Sequence, residues 1–319
     1  MSYRFGGTAE AMGVVDFVNL PNRFLADELR LSDESLLQAV RGMDRDSLLL
    51  VQKEFAELSG SGLEATFNED EELALGREAS VNEVRFGQMV LSSAFDYERP
   101  ELIAAKPFRR PKDALHELAI SAYLNKTTKR QHAFQPIGLW RNDRGLFHLL
   151  SRYEHSVITY DSVLWADKEV ETEALAPGAI AKALRVSMLG LGQLHALGFS
   201  HGDAQVKNLG ADSEKVRFID IQNTRVFPRS HSTGTPDVIA TKDRAQGDIE
   251  TLLRSCFEVL DNIPQIAPVM EEQADCMAKS YLRGVTRQRT TGSHRYPEQS
   301  IPTHEDLVER INNMVTLAE

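Results

Sequence analysis

The sequence predicts an α+β chain built in two lobes, and three observations carry that expectation. Strand-like apolar runs gather between residues 63 and 151, helical periodicity dominates from residue 179 onward, and a short polar loop interrupts the second region near residue 203. At 319 residues the chain is long enough for two lobes with a substantial core. Apolar residues make up 42% and charged residues 26%, the composition of a globular protein and not of a disordered one. The expected division is an N-terminal, mainly helical extension over 1–65, a first lobe over 66–151 and a second lobe over 152–319 that carries the loop.

In the extension, Ser32-Asp33-Glu34-Ser35 precedes Leu36 and Leu37 as a cap followed by acidic first-turn residues. Leu48, Val51, Phe55 and Leu58 continue at helical spacing, and Ser59-Gly60-Ser61-Gly62 reads as a flexible break. No catalytic constellation occurs there, so the extension reads as packing or partner surface. Strands are expected over Asn82–Ser92 and Leu102–Phe108. Lys106, near the end of the second run, is either an edge lysine with a solvated head or a cation aimed at phosphate.

A helix then opens at Pro111, where a missing N–H costs little, with Leu115, Leu118, Ala119, Ala122 and Tyr123 on its apolar stripe. Glu117 stands beside that stripe. Facing inward it needs a cation, and Lys106 would supply one. Phe134–Trp140 and Leu146–Ser151 read as two more strands around an Asn142-Asp143-Arg144-Gly145 turn, and residues 167–178 as a loop. From Ala179 to Leu197 the helical signal is strong, and Gly198 stops it. His195 falls on the apolar side and reads as a core histidine.

The loop follows as His201-Gly202-Asp203-Ala204-Gln205-Val206-Lys207-Asn208. Leu209-Gly210 and Val216–Ile219 read as short strands, so Asp220 is expected at a strand's end. Residues 222–246, with Pro228, Gly234 and Pro236, read as a long exposed loop. Further helices are expected from Asp248 towards Leu260 and over 264–283 and 303–318, joined by a polar, basic stretch from Arg287 to Tyr296.

The net charge of −11 argues against a broad grip on nucleic acid or an anionic membrane surface. Cys256 and Cys276 lack metal-binding spacing and are expected to be buried free thiols of a reducing compartment. No window reaches the length of a membrane span and the start has no basic–apolar leader pattern, so the expected location is cytoplasmic.

The loop admits several chemistries. His195, His201 and Asp203 suggest zinc, but a fourth ligand at compatible spacing is missing. Gly198-Phe199-Ser200-His201-Gly202 matches G-x-S-x-G literally, yet that elbow needs a strand before the serine and a helix after it, and here a helix precedes it. A purely structural turn is the plain alternative for His201-Gly202-Asp203. Asn208 and Asp220 shift the balance: an amide and a carboxylate are the hard oxygen ligands magnesium prefers, with Asp203 able to accept a proton.

Leu194 through Asn208, followed by Phe218-Ile219-Asp220, resembles the catalytic and metal-binding segments of the protein-kinase-like superfamily, H-x-D-x-x-x-x-N and a strand-borne aspartate. The glycine in His201-Gly202-Asp203 is most similar to aminoglycoside and choline phosphotransferases, lipopolysaccharide sugar kinases and RIO-type atypical kinases. The resemblance is specific over 195–220 and looser over 102–260. It implies a two-lobed protein-kinase-like fold, with a small, mainly antiparallel β N-lobe and a larger helical C-lobe.

By position, the resemblance makes Asp203 the catalytic residue that orients or deprotonates the acceptor hydroxyl. Asn208 and Asp220 become the ligands of Mg²⁺ bridging the phosphates of ATP. Lys106, paired with Glu117, would contact those phosphates, and backbone around Arg152 and Tyr153 would meet the adenine. His201 would brace the loop, and Asp248 resembles the aspartate opening the helix that supports it. The chain departs from conventional protein kinases at Asp220-Ile221-Gln222, at Gln205 where a lysine is usual, and in lacking both a glycine-rich loop and an Ala-Pro-Glu. The expectation is an ATP- and Mg²⁺-dependent phosphotransferase acting on a small-molecule or sugar hydroxyl. The alternatives are a pseudokinase-like binding module without turnover and an atypical Ser/Thr protein kinase that docks its substrate on 222–246.

Overall fold

The computed structural model describes residues 9–11, 16–17, 64–69, 84–92, 99–128, 133, 136–141, 147–152, 158–159, 177–212, 215–229, 237–260, 266–290 and 300–318. The chain divides into two compact units, Met1–His155 and Ser156–Glu319. The helical readings over 32–58, the break at 59–62 and the turn at 142–145 lie outside the described residues.

The first unit holds strands β1 (Ala9–Ala11), β2 (Asp16–Phe17), β3 (Glu64–Glu69), β4 (Arg85–Ser92), β5 (Arg99–Phe108), β6 (Pro136–Arg141) and β7 (Phe147–Arg152). They form one sheet in the order β1-β3-β4-β5-β7-β6-β2 with every neighbouring pair antiparallel. The extension, expected to be mainly helical, therefore supplies strands to both ends of this sheet. Only a few residues link β1 to β2, a reach of at most about 18 Å. Six strand spacings would set the edges of a flat sheet about 29 Å apart. The sheet must therefore curl.

Alternation sets the inner face of β5. Ile103 and Ala105 are fully buried, while Ala104 and Lys106 keep part of their surface, as a period of two requires. Helix α1 (Pro111–Thr128) starts at the expected proline and buries Leu115, Leu118, Ala119, Ala122 and Tyr123.

The second unit begins in described residues with β8 (Ile158–Thr159) and α2 (Pro177–Ala196). After α2 come β9 (Phe199–Ser200), β10 (Leu209–Asp212), β11 (Lys215–Phe218) and β12 (Arg225–Val226), then α3 (Val238–Leu260), α4 (Ile266–Thr290) and α5 (His304–Ala318). β10 lies between β11 and β8, and β9 pairs with β12. Leu184, Met188, Leu191 and Leu194 of α2 are buried. Helices α2 and α4 approach closely at two glycines: a Cβ on Gly192 would run into the Tyr281 carbonyl, and one on Gly284 into that of Leu189.

Four expectations are corrected. The stretch 222–246 is not one exposed loop: β12 crosses it, Phe227 is buried against Ala245, and α3 already starts at Val238. Asp237 caps α3 by accepting the Ala240 N–H at 3.0 Å, so Asp248 lies well inside the helix and does not open it. Helix α4 continues to Thr290, taking in the start of the stretch expected as a polar connection. Cys256 is buried as expected, which pushes its thiol up to about 12, but Cys276 keeps partial exposure.

Candidate active site

The polar loop is positioned by the end of α2. Gly198, at φ 91°, takes the left-handed conformation that stops the helix, and its N–H closes the last turn on the His195 carbonyl at 2.9 Å. Two residues of β9 then lead into the loop. A helix before Ser200, a loop after it, and a Ser200 hydroxyl turned to the Arg225 carbonyl rule out the nucleophile elbow.

Asp248 anchors the loop from α3. Its carboxylate accepts the backbone N–H of His201 at 2.6 Å and of Gly202 at 2.8 Å, and meets His195 Nε2 at 3.0 Å. A carboxylate only accepts, so His195 Nε2 donates to it, while Nδ1 meets the Tyr281 hydroxyl at 2.8 Å. His195 is the core histidine expected, and it ties α2, α3 and α4 together. Burial alone would raise the Asp248 carboxyl. The His195 hydrogen bond and charge, the charge of His201 and the Gly202 N–H outweigh that and hold it below the usual carboxylate range.

Gly202 stands at φ 78°, and a Cβ there would lie 2.5 Å from the Asn223 carbonyl oxygen. The glycine is thus required twice, by conformation and by the close approach of the turn at Ile221–Asn223. His201 is packed into the loop. Its ring is fully buried 5.3 Å from the Phe218 ring, and Nδ1 accepts the Asp203 N–H at 3.3 Å. Burial pushes His201 below its ordinary value, although the carboxylates of Asp248, Asp203 and Asp220 all pull the other way. Those three charges therefore converge on one imidazole.

Asp203 is held on both carboxylate oxygens. Gln205 Nε2 donates to Oδ1 at 2.8 Å, and Asn208 Nδ2 donates to Oδ2 at 2.9 Å and to the Asp203 backbone oxygen at 3.0 Å. The same Asn208 accepts the Ile219 N–H on its backbone oxygen at 2.8 Å, which fastens the loop to the segment bearing Asp220. Asp220 is the one described non-glycine residue at positive φ, 49°. Such a conformation persists where surrounding contacts impose it and concentrates at functional sites. Val206 N–H donates to Ser255 Oγ at 3.0 Å, a second tie from the loop to α3.

In the first unit, Lys106 Nζ meets Glu117 Oε2 at 2.7 Å, with their side chains 17% and 8% exposed. The expected pair forms despite its short sequence separation, and Lys106 also lies 5.0 Å over the Phe108 ring. Arg152 ends β7 opposite Ile103. Tyr153 lies outside the described residues.

The site residues that sequence reasoning missed are Gln205, Ser255 and Tyr281. Ser255 had a signal, because it follows Asp248 by two helical turns on one face. Tyr281 had none beyond its helical position.

Among the described residues no three His, Cys, Asp or Glu side chains gather as a metal group. Magnesium keeps several waters and takes few protein ligands, so a donor set as small as Asn208 and Asp220 matches its chemistry. Both Asn208 amide hydrogens are spent on Asp203, and among the described residues its Oδ1 accepts no hydrogen bond. No described helix is long and apolar enough to cross a membrane. No family model matches the sequence, and no curated protein matches it.

Proposed function

We propose that the protein is a cytoplasmic, ATP- and Mg²⁺-dependent phosphotransferase whose acceptor is a hydroxyl of a small molecule or sugar. In this reading the first unit is the β lobe and the second the helical lobe of a protein-kinase-like fold. The observation that carries it is the Asp203 carboxylate, fixed by Asn208 and joined through Asn208 to the Asp220 segment.

The acceptor oxygen forms a bond to the γ-phosphorus of ATP. The bond from that phosphorus to the bridging oxygen breaks, its electron pair leaving with ADP. The acceptor proton passes to Asp203 and from there to solvent. Asp203 orients the hydroxyl as well as receiving its proton, and positioning of this kind supplies much of the rate in phosphoryl transfer. Asn208 Oδ1 and Asp220 would hold magnesium, which when bound neutralises phosphate charge. Within the first unit, the resemblance assigns phosphate contact to the Lys106–Glu117 pair and the base to the backbone at Arg152.

A nucleotide-binding module without turnover is the second reading. Its ground is the absence of a glycine-rich loop from the sequence. A protein acceptor loses its motivation, because much of the stretch read as a docking loop is folded.

The test is to follow ADP release with Mg-ATP across a panel of polyhydroxyl acceptors. Acceptor-stimulated release supports the phosphotransferase. Mg-ATP binding with no release, for any acceptor or for water, supports the module.

A further inference from the structure

The geometry points to Gln205 as the positioning residue for Asp203, an uncharged donor that sets the orientation of the carboxylate towards the acceptor. The inference rests on the phosphotransferase reading and deepens it.

A carboxylate held at one oxygen still swings about its Cβ–Cγ bond. Asn208 holds Oδ2 at 2.9 Å, and Gln205 Nε2 holds Oδ1 at 2.8 Å, so the plane is fixed from both sides. Gln205 is itself anchored. Its backbone is extended (φ −73°, ψ 155°) and its carbonyl accepts the Asn208 N–H at 2.9 Å, closing the turn that follows. The two residues that grip the carboxylate therefore grip each other.

Each carboxylate oxygen carries two lone pairs, so one hydrogen bond per oxygen leaves room for the acceptor hydroxyl. Orientation of a reacting group is worth orders of magnitude in rate, whereas the same bond viewed only as loop packing is worth little.

The discriminating experiment uses the full-length protein and Mg-dependent ATP hydrolysis, with water as acceptor. Gln205→Leu and Gln205→Glu, neither of which donates, should lower kcat roughly tenfold or more while KM for ATP stays within about twofold. Gln205→Lys restores a donor at the same position and should recover most of kcat. Thermal unfolding of all three should track the wild type, which separates positioning from loss of fold. Gln205→Leu or Gln205→Glu with wild-type kcat overturns the inference, as does a loss that Gln205→Lys shares in full. If the wild type binds Mg-ATP and never turns it over, the phosphotransferase reading itself falls and takes this inference with it.

Discussion

Asn208 gives its side-chain amide hydrogens to Asp203, one to the carboxylate at 2.9 Å and one to the backbone oxygen at 3.0 Å. Its amide oxygen accepts no hydrogen bond among the described residues, and on the proposed reading it would face the cation. One residue would then serve two roles, and substitution can part them.

Asn208→Asp keeps an oxygen ligand but replaces the donor with a like charge against Asp203. It should retain Mg-dependent nucleotide binding and lose turnover by about 100-fold or more. Asn208→Leu should lose both. Titration calorimetry with Mg-ATP beside a turnover assay reads the two effects, and equal behaviour of the two variants would deny the division of roles.

Asp220→Ala should abolish the magnesium dependence of nucleotide binding, because it removes the carboxylate that the left-handed backbone at φ 49° presents. Binding measured with and without the ion checks this. An unchanged metal dependence would remove Asp220 from the site.

Gly202→Ala places a Cβ at φ 78° and 2.5 Å from the Asn223 carbonyl oxygen. The conformation alone costs about 1–2 kcal/mol, and the overlap adds to it. The urea midpoint should fall accordingly. A variant as stable as the wild type would mean that the turn relaxes freely.

Stability should decline on the acid side in two stages. Burial holds His201 below its ordinary value, so the unfolded chain takes up the proton first. That contribution is complete above about pH 6.5 and is lost as pH falls from there towards the folded value. Asp248 is also held low, so its contribution is complete above about pH 3.9 and is lost below it. Urea midpoints should be level above pH 7, fall through the mildly acidic range and steepen below about pH 4. His201→Asn should flatten the first stage. An unchanged slope there would contradict the assignment.

Much of the site was legible because its residues explain one another locally. Gly198 marks the helix stop, the strands after the loop are bounded by polar turns, and Lys106 and Glu117 each needed the other's charge. The start of α3 was hidden by Pro228, Gly234 and Pro236, and its apolar stripe becomes regular only from Ile249. Asp237 followed by helix-compatible residues was the missed cap. The three-residue β1 and two-residue β2 are too short for alternation to show. Asp248 supports the loop across 46 residues of sequence, through backbone N–H groups that carry no residue-type signature.

The most direct test of the account is Asp203→Ala, measured for Mg-ATP binding and for ATP turnover in the same preparation. Bound nucleotide at near wild-type affinity, with turnover lost, is the predicted result. Turnover at the wild-type rate in that variant would contradict the account.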